Sequence, residues 1–271
     1  MKISCLQTKP KATIKNALDE ALDLGSLAVK EGASFLFLPE YCGGICSNGK
    51  LYTPPSDFEH NHLFIQEFRN FCKRFTIWSL IGSVAVKLEN DKIVNRSLII
   101  NPEGKIISKY DKIHMFDISL DGEEHYESST INSGNEAIMV KTDLGNIGHS
   151  ICYDIRFPAL YRKLSQAGAE VLVVPAAFTK TTGSAHWHIL NRSRAIENVS
   201  YLIAPCAVGE IPGGGESYGH SLIVNPWGEV IRDGGDTRGI ITASIDISLV
   251  KKFRKQLPCL NHDKDFEIKK L

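Results

Sequence analysis

The chain has 271 residues, 43% of them apolar, enough to bury a substantial core without disulfides or a structural metal, because a fold of this size hides roughly three quarters of its unfolded surface. Thirty-one basic residues balance thirty-one acidic ones, and apart from Lys251, Lys252, Arg254 and Lys255, read as the solvated face of a C-terminal helix, the positive charge is dispersed, which argues against a nucleic-acid partner. No segment approaches the roughly 18 apolar residues of a membrane helix, and MKISCLQTKP lacks the apolar core of a signal peptide. A cytoplasmic protein without membrane contact is therefore expected.

Taken in chain order, the pattern makes two similar passes. An amphipathic stretch from Thr13 to Lys30 stops at Glu31-Gly32-Ala33 and leads into Phe35-Leu36-Phe37-Leu38, closed by Pro39. Later, a helical stretch from Pro158 to Gln166 stops at Gly168-Ala169 and leads into Val171-Leu172-Val173-Val174, closed by Pro175. Both read as helix, glycine stop and buried strand. Each pass also carries a hairpin, Leu98–Ile107 in the first and Leu222–Ile231 in the second, built on Asn-Pro-x-Gly. Proline presets φ in such a turn and glycine accepts its exit. Gly209 to Glu216, with three consecutive glycines, reads as a mobile surface loop, and Ala185 to Asn198 as a further helix.

Strands alternating with helices, plus antiparallel hairpins, call for sheets covered by helices. Two such halves packed sheet to sheet give an α/β fold, a four-layer α-β-β-α sandwich of two related halves. No Pro/Ser tract divides it, so residues 1–271 are expected to form one domain, with a C-terminal arm from about residue 247.

Ligands in open α/β sheets collect beyond the carboxyl ends of the strands, and three titratable residues stand there. Glu40 follows Ser34–Pro39, Lys112 follows the second arm of the first hairpin, and Cys152 ends the run Asn146–Ile151. In ICYDIRFPALYRKL the chain passes from strand to helix almost at once, with Pro158 suited to the first helical turn. A nucleophile on so tight a turn stands exposed, and the following N–H, that of Tyr153, is available to an oxyanion. A thiol near pKa 8.5 is mostly protonated at neutral pH and needs a base or a cation; Glu40 can supply the first and Lys112 the second. Seven cysteines, an odd number with no CxxC pair, argue against a disulfide framework or zinc ribbon. Cys42 and Cys46 are read as bystanders, and no metal or cofactor is expected.

Around the three strand ends, FLFLPEY, KYDKIHMFD and ICYDIRFP resemble the motifs of the nitrilase, or carbon–nitrogen hydrolase, superfamily, in that family's chain order for its Glu-Lys-Cys triad. HYESS, TTGSAHWHILNRSRAIEN and SYGHSLIVNPWGEVI resemble its Nit branch, which includes omega-amidase and the amidase of deaminated glutathione. The resemblance implies the same α-β-β-α sandwich, a homodimer or larger homo-oligomer, a small amide as substrate and a thioester on Cys152. It also implies that Glu127 lies beside the triad and positions Lys112.

Phe178 and Thr179, after the second buried strand, should lie near the nucleophile, and Arg156 is a candidate for a substrate carboxylate. Arg194 reads as a helix partner of Glu197, and His186, Trp187 and His188 as packing residues at a helix start. His149, beside the nucleophile, departs from the family's usual small or apolar residues; strand alternation turns it away from Cys152 and into a hydrogen-bonded core. Other readings share these residues: a nitrilase or N-carbamoyl hydrolase with the same triad, a non-catalytic interaction protein on this fold, and a Cys-His protease using His149.

Overall fold

The computed structural model describes residues 1–48, 51–90, 92–120 and 123–271. Its two halves are built by the same local rules. The helix Ile14–Lys30 opens on Thr13, whose hydroxyl accepts the Asn16 N–H at 3.3 Å, and buries Ala17, Leu18, Ala21, Leu24 and Ala28 along one stripe. It ends at Gly32 (φ +84°), where the Ala33 N–H returns to the Ala28 carbonyl at 3.0 Å. The helix Pro158–Gln166 ends the same way, at Gly168 (φ +108°), with the Ala169 N–H on the Leu164 carbonyl at 3.0 Å. In both, the left-handed glycine satisfies orphan carbonyls and aims the chain into a buried strand.

In the first sheet the strands Lys2–Gln7, Phe35–Phe37, Trp78–Lys87, Ile93–Ile100 and Ile106–Asp111 neighbour one another in that order, the first three parallel and the rest antiparallel. The second sheet repeats order and sense with Gly145–Gly148, Val171–Val173, Tyr201–Ala204, Leu222–Val224 and Val230–Asp233. The paired turns match too: Gly104 (φ +75°) and Gly228 (φ +84°) each return their N–H to the turn's Asn carbonyl at 2.9 Å. The strand Gly239–Ser244 leaves the second half to pair antiparallel with Lys2–Gln7, tying the halves together.

Three apolar layers define the sandwich. Leu18, Leu24, Phe64 and Phe68, from Ile14–Lys30 and Leu63–Phe75, pack on Leu36, Ile81 and Leu98 of the first sheet. Tyr161, Leu164 and Trp187, from Pro158–Gln166 and Lys180–Asn198, pack on Leu172, Leu202 and Val224 of the second. Between the sheets lie Ile3, Phe35, Phe37 and Leu80 against Ile147, Val171, Val173 and Ile203. Strand residues alternate between these layers, which is why the α-β-β-α order was legible as alternating apolar runs.

His149 sits in this interior, fully buried, with Nε2 2.8 Å from Ser108 Oγ and Nδ1 3.3 Å from Ser97 Oγ. Its ring joins the end of the second sheet to two strands of the first, as the alternation argument required. Burial pushes its pKa down to about 3. The unfolded chain therefore takes up a proton below its ordinary pKa of about 6.5 that the fold refuses until about 3, and stability falls across that window as pH falls. Above the window the effect vanishes. Between pH 7 and pH 5, urea unfolding of the wild type is expected to lose about 2 kcal/mol more than that of His149→Gln.

Three expectations are corrected. Gly209 to Glu216 is not a free loop: Val208–Glu210 and Glu216–Tyr218 pair as a hairpin, Ile211 is buried, and the Ser47 N–H bonds the Pro212 carbonyl. The helix expected from Ala185 begins at Lys180. Its early glycine, Gly183, is needed because a Cβ there would lie 2.4 Å from Tyr218 Cγ. Within the C-terminal helix Ser248–Gln256, Lys251, Lys252 and Lys255 are exposed, but Arg254 is not part of that solvated face. Its guanidinium turns inward onto the carbonyls of Ala169 and Val199, capping chain ends that the second half leaves unsatisfied.

Candidate active site

Glu40, Lys112, Glu127 and Cys152 meet in one place. Leu38 continues the edge of the strand Phe35–Phe37 by donating its N–H to Leu80, and the chain then turns at Tyr41, in a left-handed conformation at φ +50°. The turn crosses Gly82 so closely that a Cβ there would lie 1.9 Å from the Leu38 carbonyl oxygen; only glycine lets the segment carrying Glu40 sit so low. Lys112 leaves the strand Ile106–Asp111, its N–H on the Asn95 carbonyl at 3.0 Å. Glu127 opens the 3-10 turn Glu127–Ser129.

Lys112 Nζ lies 2.9 Å from Glu40 Oε1, and 2.8 and 3.1 Å from the two oxygens of Glu127, with all three side chains almost wholly buried. Buried charges at this density persist only when each is paired and its remaining lone pairs are met. They are met here. Glu40 accepts Asn95 Nδ2 and the Ala177 N–H, both at 2.9 Å. Glu127 accepts the Tyr41 hydroxyl at 2.9 Å and the Phe116 N–H at 2.8 Å, and Asn95 Nδ2 reaches it at 3.3 Å. Burial by itself would lower the Lys112 pKa, but the charges of Glu127 and Glu40 outweigh it and hold the ammonium well above its ordinary value.

Cys152 stands at the left-handed φ of +47°, strained for a residue with a Cβ. The strain is held from both sides. The Cys152 N–H donates to the Pro175 carbonyl at 2.9 Å, and Asp154 Oδ2 accepts the Ile151 N–H at 2.8 Å and the Tyr110 hydroxyl at 2.6 Å. Asp154 Oδ1 takes the His114 N–H at 3.0 Å, so one buried carboxylate ties the elbow to the strand end that carries Lys112. Burial first, then the Glu40 charge and a hydrogen bond to Glu40, hold the Cys152 thiol well above its ordinary pKa, with Lys112 pulling the other way. The resting thiol is thus neutral.

These groups form the floor of a narrow pocket, open to solvent, with walls that include Tyr52, Phe116, Tyr153, Phe178, Thr179 and Thr182. Phe178 and Thr179 therefore lie where the strand-end argument put them. Tyr153 also lines the pocket, as the second residue of the 3-10 turn Cys152–Arg156; the opening N–H groups of such a turn have no partner within it. Arg156 does not line the pocket. Its guanidinium lies over the rings of two residues that do, Phe178 (5.5 Å) and Tyr153 (5.8 Å), and within 3.3 Å of His186 Nδ1. Arg194 pairs with Glu197 at 2.8 Å and donates to the Ile155 carbonyl, a structural use. Asn95, Tyr41, Asp154 and the Ala177 N–H were not singled out from the sequence. Only Tyr41 and Asp154, inside the quoted motifs FLFLPEY and ICYDIRFP, offered a signal.

A sandwich of two repeated halves, with a buried Glu-Lys-Glu cluster facing a cysteine on a strained elbow, defines a class of protein. The carbon-nitrogen hydrolase family model matches residues 2–255, and the chain belongs to that family. It is 37% identical over 265 residues to a deaminated glutathione amidase of Synechocystis sp., covering 96% of each protein. It is 35% identical over 207 residues to the omega-amidase NIT3 of Saccharomyces cerevisiae, covering 75% of this chain and 70% of that protein. Among solved structures, the NitFhit protein of C. elegans superposes with a TM-score of 0.87 at 31% identity, over 97% of this chain and 65% of that one. Saccharomyces cerevisiae Nit3, described as a member of branch 10 of the nitrilase superfamily, gives 0.82 at 29% identity, covering 95% and 94%.

Proposed function

We propose that the chain is an amidase that hydrolyses a small ω-amide or α-keto amide through a thioester on Cys152, releasing ammonia and a carboxylic acid. The observation that carries this is the floor of the pocket, where Lys112 Nζ bonds both Glu40 and Glu127 and Cys152 lines the same pocket beside them. Glu40 takes the thiol proton as Cys152 Sγ attacks the amide carbonyl. The Lys112 ammonium and the Tyr153 N–H hold the developing oxyanion, a contribution of roughly 3–4 kcal/mol per well-placed donor in other hydrolases. Ammonia departs with the proton from Glu40, and the same carboxylate activates the water that cleaves the thioester. Glu127 is a positioning residue, aiming Lys112 and balancing its charge. No step calls for a metal or cofactor.

The names of the Synechocystis and yeast relatives, deaminated glutathione amidase and omega-amidase, support an amide over a nitrile or carbamoyl substrate. Ammonia release from a panel of amides, nitriles and N-carbamoyl compounds is the test: turnover of ω-amides or α-keto amides is expected, and inactivity on every amide would sink the reading. We further read residues 1–271 as one domain with a C-terminal arm from about 247, supported by the strand Gly239–Ser244 lying in the first half's sheet.

Seven cysteines without a disulfide among them suit a reducing compartment, which supports a cytoplasmic location; among the described residues no helix is long and apolar enough to cross a membrane. A homodimer is the proposed assembly. Ile189 (67% exposed) and Ile196 (44%) lie on the helix Lys180–Asn198, and Trp227 (61%) is in the turn whose Gly228 abuts Ile196, an apolar surface that a second copy would cover. Light scattering is expected to give twice the chain mass, and Ile189→Glu to reduce it toward one.

A further inference from the structure

Outside the pocket, three ligand-type side chains from different elements converge. His188 lies on the helix Lys180–Asn198, His220 follows the strand Glu216–Tyr218, and Asp233 ends the strand Val230–Asp233. His188 Nε2 is 2.9 Å from Asp233 Oδ2, and His220 Nδ1 is 2.9 Å from Asp233 Oδ1. One ligand atom from each residue lies within 4.8 Å of the other two. We propose that His188, His220 and Asp233 bind a divalent transition metal ion, Zn²⁺ by preference, with water completing its coordination.

The donor set fits that ion. Two imidazoles and one carboxylate suit zinc and its neighbours, whereas calcium and magnesium take oxygen ligands, and no thiol stands in this group to favour a softer ion. Zinc bonds of about 2.0–2.1 Å in a tetrahedral arrangement set ligand atoms about 3.3 Å apart. The two present separations of 2.9 Å run to different oxygens of Asp233, and one ligand atom from each residue already lies within 4.8 Å of the other two, so side-chain rotation without backbone movement gathers them on one ion as it replaces the bridging protons. The side chains are 26 to 36% exposed, so water reaches the remaining positions and the ion enters without unfolding.

The backbone holds this arrangement at a cost. His220 adopts the left-handed φ of +52°, a conformation a residue with a Cβ keeps only where its surroundings over-determine it. They do: the His220 N–H donates to Gly235 O at 2.6 Å, and its carbonyl accepts Trp187 Nε1 at 2.7 Å, one residue before His188. The His220 ring stacks on Tyr218 at 4.5 Å, and the Gly235 N–H fixes Asp233 Oδ1 at 2.9 Å. Gln7 clamps the segment after Asp233 through the carbonyls of Gly234, Gly235 and Thr237. A bound ion would join the helix carrying Thr182 to the segment of Tyr218, whose N–H bonds the Phe178 carbonyl at 2.8 Å. It would brace that wall of the pocket and take no part in the chemistry.

The test titrates the chelator-stripped full chain with Co²⁺, followed by d–d absorption and equilibrium dialysis, with Zn²⁺ as competitor. One Co²⁺ per chain is expected, displaced by Zn²⁺, without a sulfur-to-cobalt charge-transfer band. His188→Gln and His220→Gln should each weaken binding at least about tenfold while circular dichroism stays that of the wild type. His188 is a half-exposed residue of a regular helix, so its variant keeps the test usable if the strained His220 site does not tolerate change. No stoichiometric binding to the wild type, or wild-type affinity in His188→Gln, overturns the proposal. Turnover is not read, so either result leaves the amidase reading where it stands.

Discussion

Cys152→Ala is expected to lower kcat on any accepted amide by about 10⁴-fold or more, with the fold retained. Removing a covalent nucleophile deletes the step that every other group serves, and losses of that order follow in hydrolases whose residues act as a unit. What remains is binding and the oxyanion donors. The stability cost is small by comparison: one buried sulfur atom is lost, worth about 1 kcal/mol, and Ala meets the same left-handed φ that Cys152 already bears. The Glu40, Lys112 and Glu127 cluster keeps its ion pairs, because neither Lys112–Glu40 nor Lys112–Glu127 runs through the thiol. The measurement is steady-state ammonia release beside a thermal melt, with the wild type quenched during turnover and searched by mass for an acyl group on Cys152. A variant that hydrolyses amides within tenfold of the wild type would remove the nucleophile from the mechanism.

Glu40, Lys112 and Cys152 were legible because each follows a strand that period and punctuation mark, a short apolar run before Glu40, the second arm of a hairpin before Lys112 and the run Asn146–Ile151 before Cys152, and strand ends converge on one crevice. The doubling of the fold was legible for a related reason: the glycine stops at Gly32 and Gly168 and the Asn-Pro-x-Gly turns at Gly104 and Gly228 impose φ values that sequence can signal. The support of the cluster was not. Asn95 sits inside the strand Ile93–Ile100 and reads as an ordinary polar residue, yet its amide bridges two carboxylates whose positions depend on the whole sheet. The same holds for His188, His220 and Asp233, which lie far apart in sequence with no regular spacing. Arg156 was read as a candidate for a substrate carboxylate from its guanidinium chemistry, and its place over the rings of Phe178 and Tyr153 is set by the turn after Cys152, which the sequence does not display.

Glu40→Gln separates proton transfer from mere packing, because it is expected to move two properties of the same thiol in opposite directions. Turnover should fall by about 10²–10⁴-fold, the usual contribution of a positioned general base. The thiol should nevertheless become easier to ionise. After burial, the Glu40 charge is the largest influence holding the Cys152 pKa up, and Lys112 opposes it. A neutral glutamine removes the repulsion and leaves the ammonium, so the midpoint of iodoacetamide alkylation against pH should shift downward. The replacement costs stability too, since an amide nitrogen in place of Oε2 would face the Ala177 N–H that Oε2 now accepts; leaving such a donor unmet costs about 1–3 kcal/mol. If Glu40 only held the pocket together, alkylation and turnover would decline in step. A lower thiol midpoint joined to lost turnover is the outcome that a carboxylate base requires: the thiolate alone is then present in greater amount, but nothing delivers the proton to the departing ammonia or takes one from the water.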